Sequence, residues 1–277
     1  MKKTIGIIGG DERSKKLKEC LEEEGYAVKT FGVIDNDYTD LNDFLRGITY
    51  VVGGIPFSRD DQTINMPNVT NKVSIENLFN SMKESKTLVA GSFSSNVKLL
   101  ASKHDIKLYD FLDDEDFAIY NAIPTAEGAI KIAVEEHSGT IHSSNCLILG
   151  FGRIGKALAD ALRGLHANIF VAARKKEDLA WIKTMGYTPV IYKDLLTILP
   201  KIDILFNTVP HLLIKREEII VMKKDSLIID LASYPGGIDF EIAKELGIKT
   251  NWALGLPGKV SPKSVATYMM EKLKNID

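Results

Sequence analysis

A glycine-rich hexapeptide, GFGRIG at positions 150–155, constrains the fold of this 277-residue chain more than any other feature. It follows the apolar run Cys146–Leu149 and precedes an amphipathic segment of helix length, so the glycines stand at a strand-to-helix turn. Another apolar run, Asn168–Ala172, follows at the distance expected of a βαβ unit. In this context the pattern predicts a Rossmann-type domain that binds a dinucleotide, and a glycine-rich turn without a ligand is the alternative.

Each residue of the motif has its own expected role at such a turn. Gly150 permits the tight turn, Gly152 lets the backbone approach a pyrophosphate, and Gly155 lets the helix pack closely on the strand. The N–H groups of Arg153 and Ile154 are expected to point at the phosphates, where the helix dipole also favours negative charge.

The residues after the second strand of this unit indicate which dinucleotide is bound. NAD-binding domains place an acid there, which binds the ribose 2′-hydroxyl. This chain has Arg174 and Lys175 at that point, and no acid occurs before Glu177. Because a guanidinium matches the geometry of a phosphate, we predict NADP as the cofactor, with NAD as the alternative. Solvated turn cations that bind no ligand are a further alternative.

Short apolar runs alternate with amphipathic segments along the whole chain, which predicts parallel βα units. At roughly 100–200 residues per domain, the length favours two domains. We therefore predict an α/β protein of two Rossmann-like domains with parallel sheets, joined by a long helix that begins after Pro124. The predicted parts are a substrate domain at 1–124, the connecting helix at 125–139, the NADP-binding domain at 140–261, and a C-terminal helix at 262–277 that packs back on the first domain.

The first domain carries another glycine-containing turn, at Gly9 and Gly10, followed by Asp11. Its spacing departs from the dinucleotide motif, and a carboxylate would repel phosphate. We therefore predict a substrate domain without a cofactor, and a second nucleotide site is the alternative. The polar stretch 55–71 lacks periodicity and contains two prolines, so it is expected to be a functional or mobile loop.

Two further loops of the second domain follow strands at the carboxyl end, where α/β sheets bind their ligands. We predict that these loops flank the nicotinamide through the following residues: Thr208, Val209, Pro210, Ala232 and Ser233. A third loop, at 255–262, precedes the final helix and is expected to face a cleft between the domains.

Composition and charge exclude several classes of protein. The formal net charge of -2 and the interspersed signs argue against nucleic-acid binding. No apolar run reaches the ~20 residues that a membrane helix needs, and the first residues lead directly into a strand, so we expect neither a membrane span nor a signal peptide. Two cysteines argue against a disulfide framework and for the cytosol. The five histidines lack metal-site spacing, so no metal is predicted.

The two-domain plan and the Gly150 motif resemble the D-2-hydroxyacid dehydrogenase superfamily. That superfamily has a catalytic arginine in the loop that matches 232–237, and a catalytic histidine near the last strand. This chain has ASYPGG at 232–237, and no histidine occurs at 254–261. The sequence therefore departs from the usual 2-hydroxyacid chemistry at both positions.

A second resemblance covers nearly the whole chain and is carried by unusual loops. The dinucleotide motif, NTVP at 207–210, DLASYPGG at 230–237 and ALGLPGKVSP at 253–262 are similar to the family of dipicolinate synthase A subunits. This resemblance implies oxidation of dihydrodipicolinate to dipicolinate with NADP⁺, in the mother-cell cytoplasm of a sporulating bacterium. It also implies a flavoprotein-like partner, the B subunit of the same synthase.

A substrate with two carboxylates needs cations or hydrogen-bond donors. The candidates for binding it are Arg59, Ser92, Ser94, Ser95 and Lys259. For the two cations the alternative is a solvated surface charge, and for the serines it is helix capping.

One histidine is a candidate for proton transfer. His211 follows a strand end, and imidazole titrates near neutral pH. A structural histidine is the alternative, and Tyr234 is a second candidate for the same role.

Two other functions remain open from the sequence. One is a different NADP-linked dehydrogenase that acts on hydroxy acids or amino acids. The other is a non-catalytic nucleotide-binding subunit of a heteromeric synthase. The expected partners are a small-molecule substrate and further protein subunits. Copies of this chain are expected among them, because this two-domain architecture is usually at least dimeric.

Overall fold

The computed structural model describes residues 3–33, 38, 40–84 and 86–276. It divides the chain into two compact units, Met1–Tyr120 with Ser261–Asp277, and Asn121–Val260. Each unit contains one parallel sheet with helices, so the predicted α/β architecture of two Rossmann-like domains is confirmed.

The first unit is built on five parallel strands. These are β1 (Thr4–Ile8), β2 (Ala27–Phe31), β3 (Tyr50–Gly53), β4 (Thr87–Ala90) and β5 (Lys107–Asp110). The helices between them are α1 (Glu12–Glu23), α2 (Leu41–Leu45), α3 (Ile75–Ser81) and α4 (Ser95–Lys103). The strand order β2-β1-β3-β4-β5 reverses direction between β1 and β3, which makes the carboxyl ends of these two strands the topological switch point of the sheet.

The polar stretch after β3 is a compact, hydrogen-bonded loop. Phe57, Ile64 and Met66 are buried in the core of the unit. The Asp60 carboxylate accepts hydrogen bonds from the backbone and hydroxyl of Thr63, which hold the pKa of Asp60 below its ordinary value. The buried side chains have no regular spacing, so the sequence pattern did not reveal that this segment is packed.

The long helix α5 (Glu115–Glu136) carries Pro124 in its interior. The prediction that this helix begins after Pro124 was therefore wrong. A proline within a helix leaves one carbonyl without its N–H partner. Nearby, Thr125 Oγ1 donates to the Asn121 carbonyl at 2.9 Å. In the part of the helix that precedes the proline, the side chains of Phe117 and Ala122 are buried. Packing of this apolar face outweighs the lost hydrogen bond.

The second unit contains six parallel strands. These are β6 (Asn145–Leu149), β7 (Asn168–Ala173), β8 (Thr188–Ile191), β9 (Ile204–Asn207), β10 (Leu227–Asp230) and β11 (Lys249–Trp252). Its further helices are α6 (Arg153–Gly164), α7 (Lys176–Thr184), α8 (Leu195–Ile198), α9 (Arg216–Ile220), α10 (Phe240–Glu245) and α11 (Leu256–Val260). The order β11-β10-β9-β6-β7-β8 is that of a dinucleotide-binding sheet, and its switch point lies between β6 and β9.

Burial on both faces explains the uninterrupted apolar sequence of β6. Leu147 and Leu149 pack into one hydrophobic cluster, while Cys146 and Ile148 pack into another. A parallel strand covered on both faces has no need of polar alternation.

The C-terminal helix α12 (Pro262–Leu273) belongs to the first unit, as predicted. Val265, Ala266 and Met269 are buried together with Leu17 and Leu21 of α1. Within the described ranges, no helix has the length and apolar character that would let it cross a bilayer.

Candidate functional site

The glycine turn after β6 has no room for side chains at two of its positions. Gly150 has a φ of +97°, and a Cβ there would lie 2.5 Å from Thr208 Oγ1. A Cβ on Gly155 would lie 2.2 Å from the carbonyl oxygen of Gly150. The turn is therefore tight, and the first turn of α6 lies directly against it.

The middle glycine faces open space. Apart from the adjoining Phe151 and Arg153, no described residue has an atom within 4 Å of a Cβ built on Gly152. Gly152 is also the N-cap residue of α6 and brings no side-chain acceptor to the N–H groups of the first turn, which belong to Arg153, Ile154 and Gly155. An electropositive helix end beside free space suits a pyrophosphate, so these residues fit the dinucleotide that the motif predicts.

The loop after β9 is joined to this turn. The backbone N–H and the hydroxyl of Thr208 both donate to the carbonyl of Leu149, at 3.0 and 2.8 Å. Val209 Cγ2 lies 2.9 Å from the position of a Cβ on Gly150. The structure thus brings Thr208 and Val209 to the glycine turn, and the exposed Pro210 follows them.

A buried polar pair, missed by the sequence analysis, holds the two loops that were predicted to flank the nicotinamide. Asn207 and Asp230 are both 0% exposed. The Asp230 carboxylate accepts from Asn207 Nδ2 at 2.8 Å and from the backbone N–H groups of Ala232 and Gly237 at 2.9 and 2.8 Å. Asn207 also donates to the carbonyl of Val209 at 3.0 Å. A polar residue that ends an otherwise apolar strand is the signal that marks both positions.

The loop after β10 has one buried end and one exposed end. Ala232 is buried, and its carbonyl accepts from Trp252 Nε1 at 2.9 Å. Ser233 is exposed. Tyr234 is 84% exposed, and its ring stacks on that of Trp252 with centroids 6.5 Å apart. The exposed side chain of Tyr234 is therefore accessible to a ligand.

His211 lies in the same region of the second unit. Its backbone N–H donates to the carbonyl of Val209 at 2.8 Å, which closes a turn directly after the strand end. The residue is exposed, so its imidazole is accessible to a substrate. Lys259 lies on the short helix α11 and is also exposed.

The two cations predicted to bind a 2′-phosphate follow β7. Arg174 is exposed, and Lys175, also exposed, is the N-cap residue of α7. Tyr192, which follows the neighbouring strand β8, lies within electrostatic reach of Arg174. Burial raises the pKa of Tyr192, and the positive charge of Arg174 reduces that increase.

The candidate substrate residues of the first unit follow β3 and β4. Arg59 is exposed, and its Nε lies 3.4 Å from Asn65 Oδ1. Ser92 has a φ of +62°, and its N–H donates to the Asp110 carboxylate at 3.0 Å. Ser94 is the N-cap residue of α4, where its hydroxyl accepts from the N–H of Val97. Ser95 is the first residue of that helix and is exposed.

The cap at Ser94 leads to a testable prediction. We expect Ser94→Ala to lower the free energy of unfolding by about 1 kcal/mol, because the Val97 N–H loses its acceptor. Ser95→Ala is the matched control and should change it by less than about 0.5 kcal/mol. Urea denaturation of both variants measures the difference, and equal effects would show that the capping bond contributes nothing.

The glycine turn of the first unit, at Gly9 and Gly10, is in contact with other residues of the chain. The Gly10 N–H donates to the carbonyl of Asn65 at 2.8 Å. Arg13 is 4% exposed, binds both oxygens of Asp11, and donates to the carbonyl of Ile55. Burial raises the pKa of Asp11, but the hydrogen bonds and charge of Arg13 outweigh it and leave that pKa below its ordinary value. The N–H groups of Gly10 and Arg13 and the Arg13 guanidinium therefore already have acceptors within the chain.

Two models of known protein families match different parts of the chain. Residues 4–112 match the family model described as the N-terminal domain of the dipicolinate synthase A subunit, and residues 125–233 match that of the D-isomer specific 2-hydroxyacid dehydrogenase NAD binding domain. The chain is 32% identical to the dipicolinate synthase A subunit of Bacillus subtilis (strain 168), over 98% of this chain and 95% of that relative. The chain belongs to the family of dipicolinate synthase A subunits. The resemblance found in the sequence is therefore confirmed.

Solved structures support the same membership. The crystal structure of the dipicolinate synthase A subunit from Bacillus halodurans is similar at a TM-score of 0.87 and 28% identity, covering 99% of this chain and 97% of that one. D-lactate dehydrogenase from Escherichia coli matches at a TM-score of 0.65 and 15% identity, covering 98% of this chain and 96% of that one. The second likeness concerns the fold alone. Together with the matched NAD-binding domain, this family membership indicates an oxidoreductase-type protein that binds a nicotinamide coenzyme.

Among the side chains whose positions the structure describes, no group of three or more His, Cys, Asp or Glu residues is arranged to hold a metal ion.

Proposed function

We propose that this protein is the A subunit of a dipicolinate synthase and oxidises dihydrodipicolinate to dipicolinate with NADP⁺. Family membership over 98% of the chain carries this proposal, together with a glycine turn whose middle position faces open space. The two departures from 2-hydroxyacid dehydrogenases, no arginine at 232–237 and no histidine at 254–261, count against a hydroxyacid substrate.

We infer the residues that hold the coenzyme from the positions that they occupy in the second unit. The N–H groups at the start of α6 bind the pyrophosphate, and Arg174 with Lys175 binds the 2′-phosphate of the adenosine ribose. Thr208, Val209, Ala232 and Ser233 line the nicotinamide end, where Asn207 and Asp230 hold their backbone in place. When bound, the coenzyme supplies the acceptor for the hydride that the substrate ring loses.

The chain must also bind two carboxylates and remove one proton. Dihydrodipicolinate loses a hydride and a proton as its ring becomes a pyridine, so the protein needs a proton acceptor but no further oxidant. The candidate donors for the carboxylates are the exposed cations Arg59 and Lys259 and the exposed hydroxyls of Ser92 and Ser95. His211 accepts the proton, because it is exposed at the carboxyl end of the sheet and histidine is the side chain that most often acts as a general base.

Removal of the imidazole tests this assignment. We expect His211→Ala to lower kcat by about 10² or more, the usual contribution of a general base. His142→Ala is the matched control, since His142 is an exposed histidine just before the amino end of β6, and it should leave kcat unchanged. A loss below threefold for His211→Ala would remove His211 from the mechanism and leave Tyr234 or water as the proton acceptor.

The reaction itself is tested with the purified chain. Freshly prepared dihydrodipicolinate is mixed with the protein and NADP⁺ or NAD⁺, and the absorbance of the reduced coenzyme is followed. The proposal expects dipicolinate and NADPH in equal amounts, and faster turnover with NADP⁺ than with NAD⁺. No reduced coenzyme with either one, also in the presence of the partner protein, would contradict it.

The cellular setting is part of the proposal. The related protein is designated an A subunit, which implies that its synthase contains a second one. We propose that the partner is the flavoprotein-like B subunit of the synthase, that this chain forms homo-oligomers, and that both proteins act in the mother-cell cytoplasm during sporulation. NADPH formation only in the presence of the partner would leave open which of the two subunits carries out the oxidation.

A further inference from the structure

The residue after β8 lies beside the arginine after β7. The two strands are neighbours in the parallel sheet, and Ala173 pairs with Ile191 at their carboxyl ends. Strands in a sheet lie about 4.8 Å apart, so the chain leaves both strands at the same edge and at nearly the same place. Arg174 and Tyr192 are therefore adjacent in the fold, although they are distant in the sequence.

The ring of Tyr192 is held in a fixed position. It is half-buried and packs on the hydrophobic cluster that contains Val190 and Leu195. It also begins the three-residue 3₁₀ turn Tyr192–Asp194. A phenol hydroxyl keeps its proton at neutral pH and is a hydrogen-bond donor, and burial raises the pKa of Tyr192 further above that range.

A guanidinium contacts a phosphate group through two parallel N–H groups, so it leaves acceptor sites of the phosphate free for another donor. The phosphate carries three acceptor oxygens and close to two negative charges. Arg174 supplies the cation, and a phenol hydroxyl beside it supplies a neutral donor that is fixed by packing on the core. The unphosphorylated ribose of NAD has no group of this kind to receive the second donor.

We propose that Tyr192 is a specificity-determining residue that binds the 2′-phosphate of NADP together with Arg174. This inference rests on the proposed use of NADP. It identifies a donor that comes from the third strand of the βαβαβ unit, whereas sequence patterns look for the 2′-phosphate site directly after the second strand.

The test compares two tyrosine variants of the full-length protein. Tyr192→Phe removes the hydroxyl and keeps the ring. Tyr187→Phe is the matched control, because the Tyr187 ring also lies near an arginine, Arg163, at 5.8 Å, but precedes β8 at the opposite end of the strand. Calorimetric titrations with NADP⁺, NAD⁺, adenosine 2′,5′-bisphosphate and adenosine 5′-monophosphate give the affinities, and Arg174→Ser is measured as a reference.

The expected result for Tyr192→Phe is an approximately tenfold weaker affinity for NADP⁺ and for the bisphosphate, as for loss of one partly solvated hydrogen bond to a charged group. Affinities for NAD⁺ and the monophosphate should stay within about twofold, and Tyr187→Phe should match the wild type with all four ligands. A purely structural role would weaken all four ligands equally, which would overturn the inference.

Two outcomes separate this inference from the proposed function. If the wild type prefers NADP⁺ and Arg174→Ser loses that preference while Tyr192→Phe keeps it, the role of Tyr192 is wrong and the use of NADP stands. If the wild type prefers NAD⁺ or binds neither coenzyme, both fail together.

Discussion

Replacement of Asp230 by asparagine is expected to lower the free energy of unfolding by about 3 kcal/mol, a large part of the roughly 5–15 kcal/mol typical of a domain. The buried carboxylate accepts from three donors, Asn207 Nδ2 and the N–H groups of Ala232 and Gly237. An asparagine keeps one acceptor oxygen and turns an NH₂ group toward one of these donors. At least one buried donor then has no acceptor, and each such group costs about 1–3 kcal/mol.

Tryptophan fluorescence during urea denaturation measures this loss. The chain has two tryptophans, Trp181 and Trp252, and both lie in the second unit. Trp252 donates to the carbonyl of Ala232, so it reports directly on the loop that Asp230 holds. Asp225→Asn, which changes an exposed carboxylate shortly before β10, is the control and should shift the free energy by less than about 0.5 kcal/mol. Equal free energies of unfolding for the two variants would show that the hydrogen bonds of the Asp230 carboxylate do not stabilise the fold.

Substitution of Gly152 by alanine is expected to weaken the binding of both NADP⁺ and NAD⁺ by about 100-fold, equivalent to about 2.7 kcal/mol. The added methyl group occupies the open space beside the first turn of α6 and separates the pyrophosphate from the N–H groups there. Since no described residue other than the two chain neighbours has an atom within 4 Å of that methyl group, the unfolding midpoint should hardly change. The effect is thus on binding and not on folding.

Gly164→Ala provides the matched control for this prediction. A Cβ on Gly164 also lies more than 4 Å from the atoms of the described residues outside its own helix, but Gly164 stands at the other end of α6. This variant should bind both coenzymes as the wild type does. If Gly152→Ala bound them equally well, the pyrophosphate would lie elsewhere.

The sequence predicted the parts of the fold that depend on local pattern. The apolar runs Cys146–Leu149 and Asn168–Ala172 were found as β6 and β7, each to within one residue, because a strand buried on both faces is uniformly apolar. The motif between them identified Gly150 and Gly155, whose close contacts with the chain are determined by the backbone and leave glycine as the residue that fits.

Features that depend on distant partners were not predictable in the same way. Pro124 normally indicates the start of a helix, and only the burial of side chains such as Phe117 explains why α5 continues through it. The sequence marks Asp230 only as a polar residue that ends an apolar strand, and its partner becomes known only when the fold places Asn207 beside it. Tyr192 likewise becomes relevant only because β8 lies next to β7.

Hydrogen bonds to buried side chains hold the loops of the proposed coenzyme site in place. The loops that are proposed to face the coenzyme are irregular, but the backbone N–H groups of Val209, Ala232 and Gly237 donate to the buried side chains of Asn207 and Asp230, which end the strands beneath them. Hydrogen bonds of this kind fix the positions of ligand-binding groups before the ligand arrives, which lowers the entropy lost on binding.

The central claim is that the backbone after Leu149 binds the pyrophosphate of a nicotinamide dinucleotide and that a guanidinium nearby binds its additional phosphate. Isothermal titration of the purified chain with NADP⁺ and then with NAD⁺ tests it most directly. We expect saturable uptake of one NADP⁺ per chain, with a clearly weaker affinity for NAD⁺. Uptake of neither nucleotide would contradict the account, and tighter binding of NAD⁺ would contradict its assignment of Arg174.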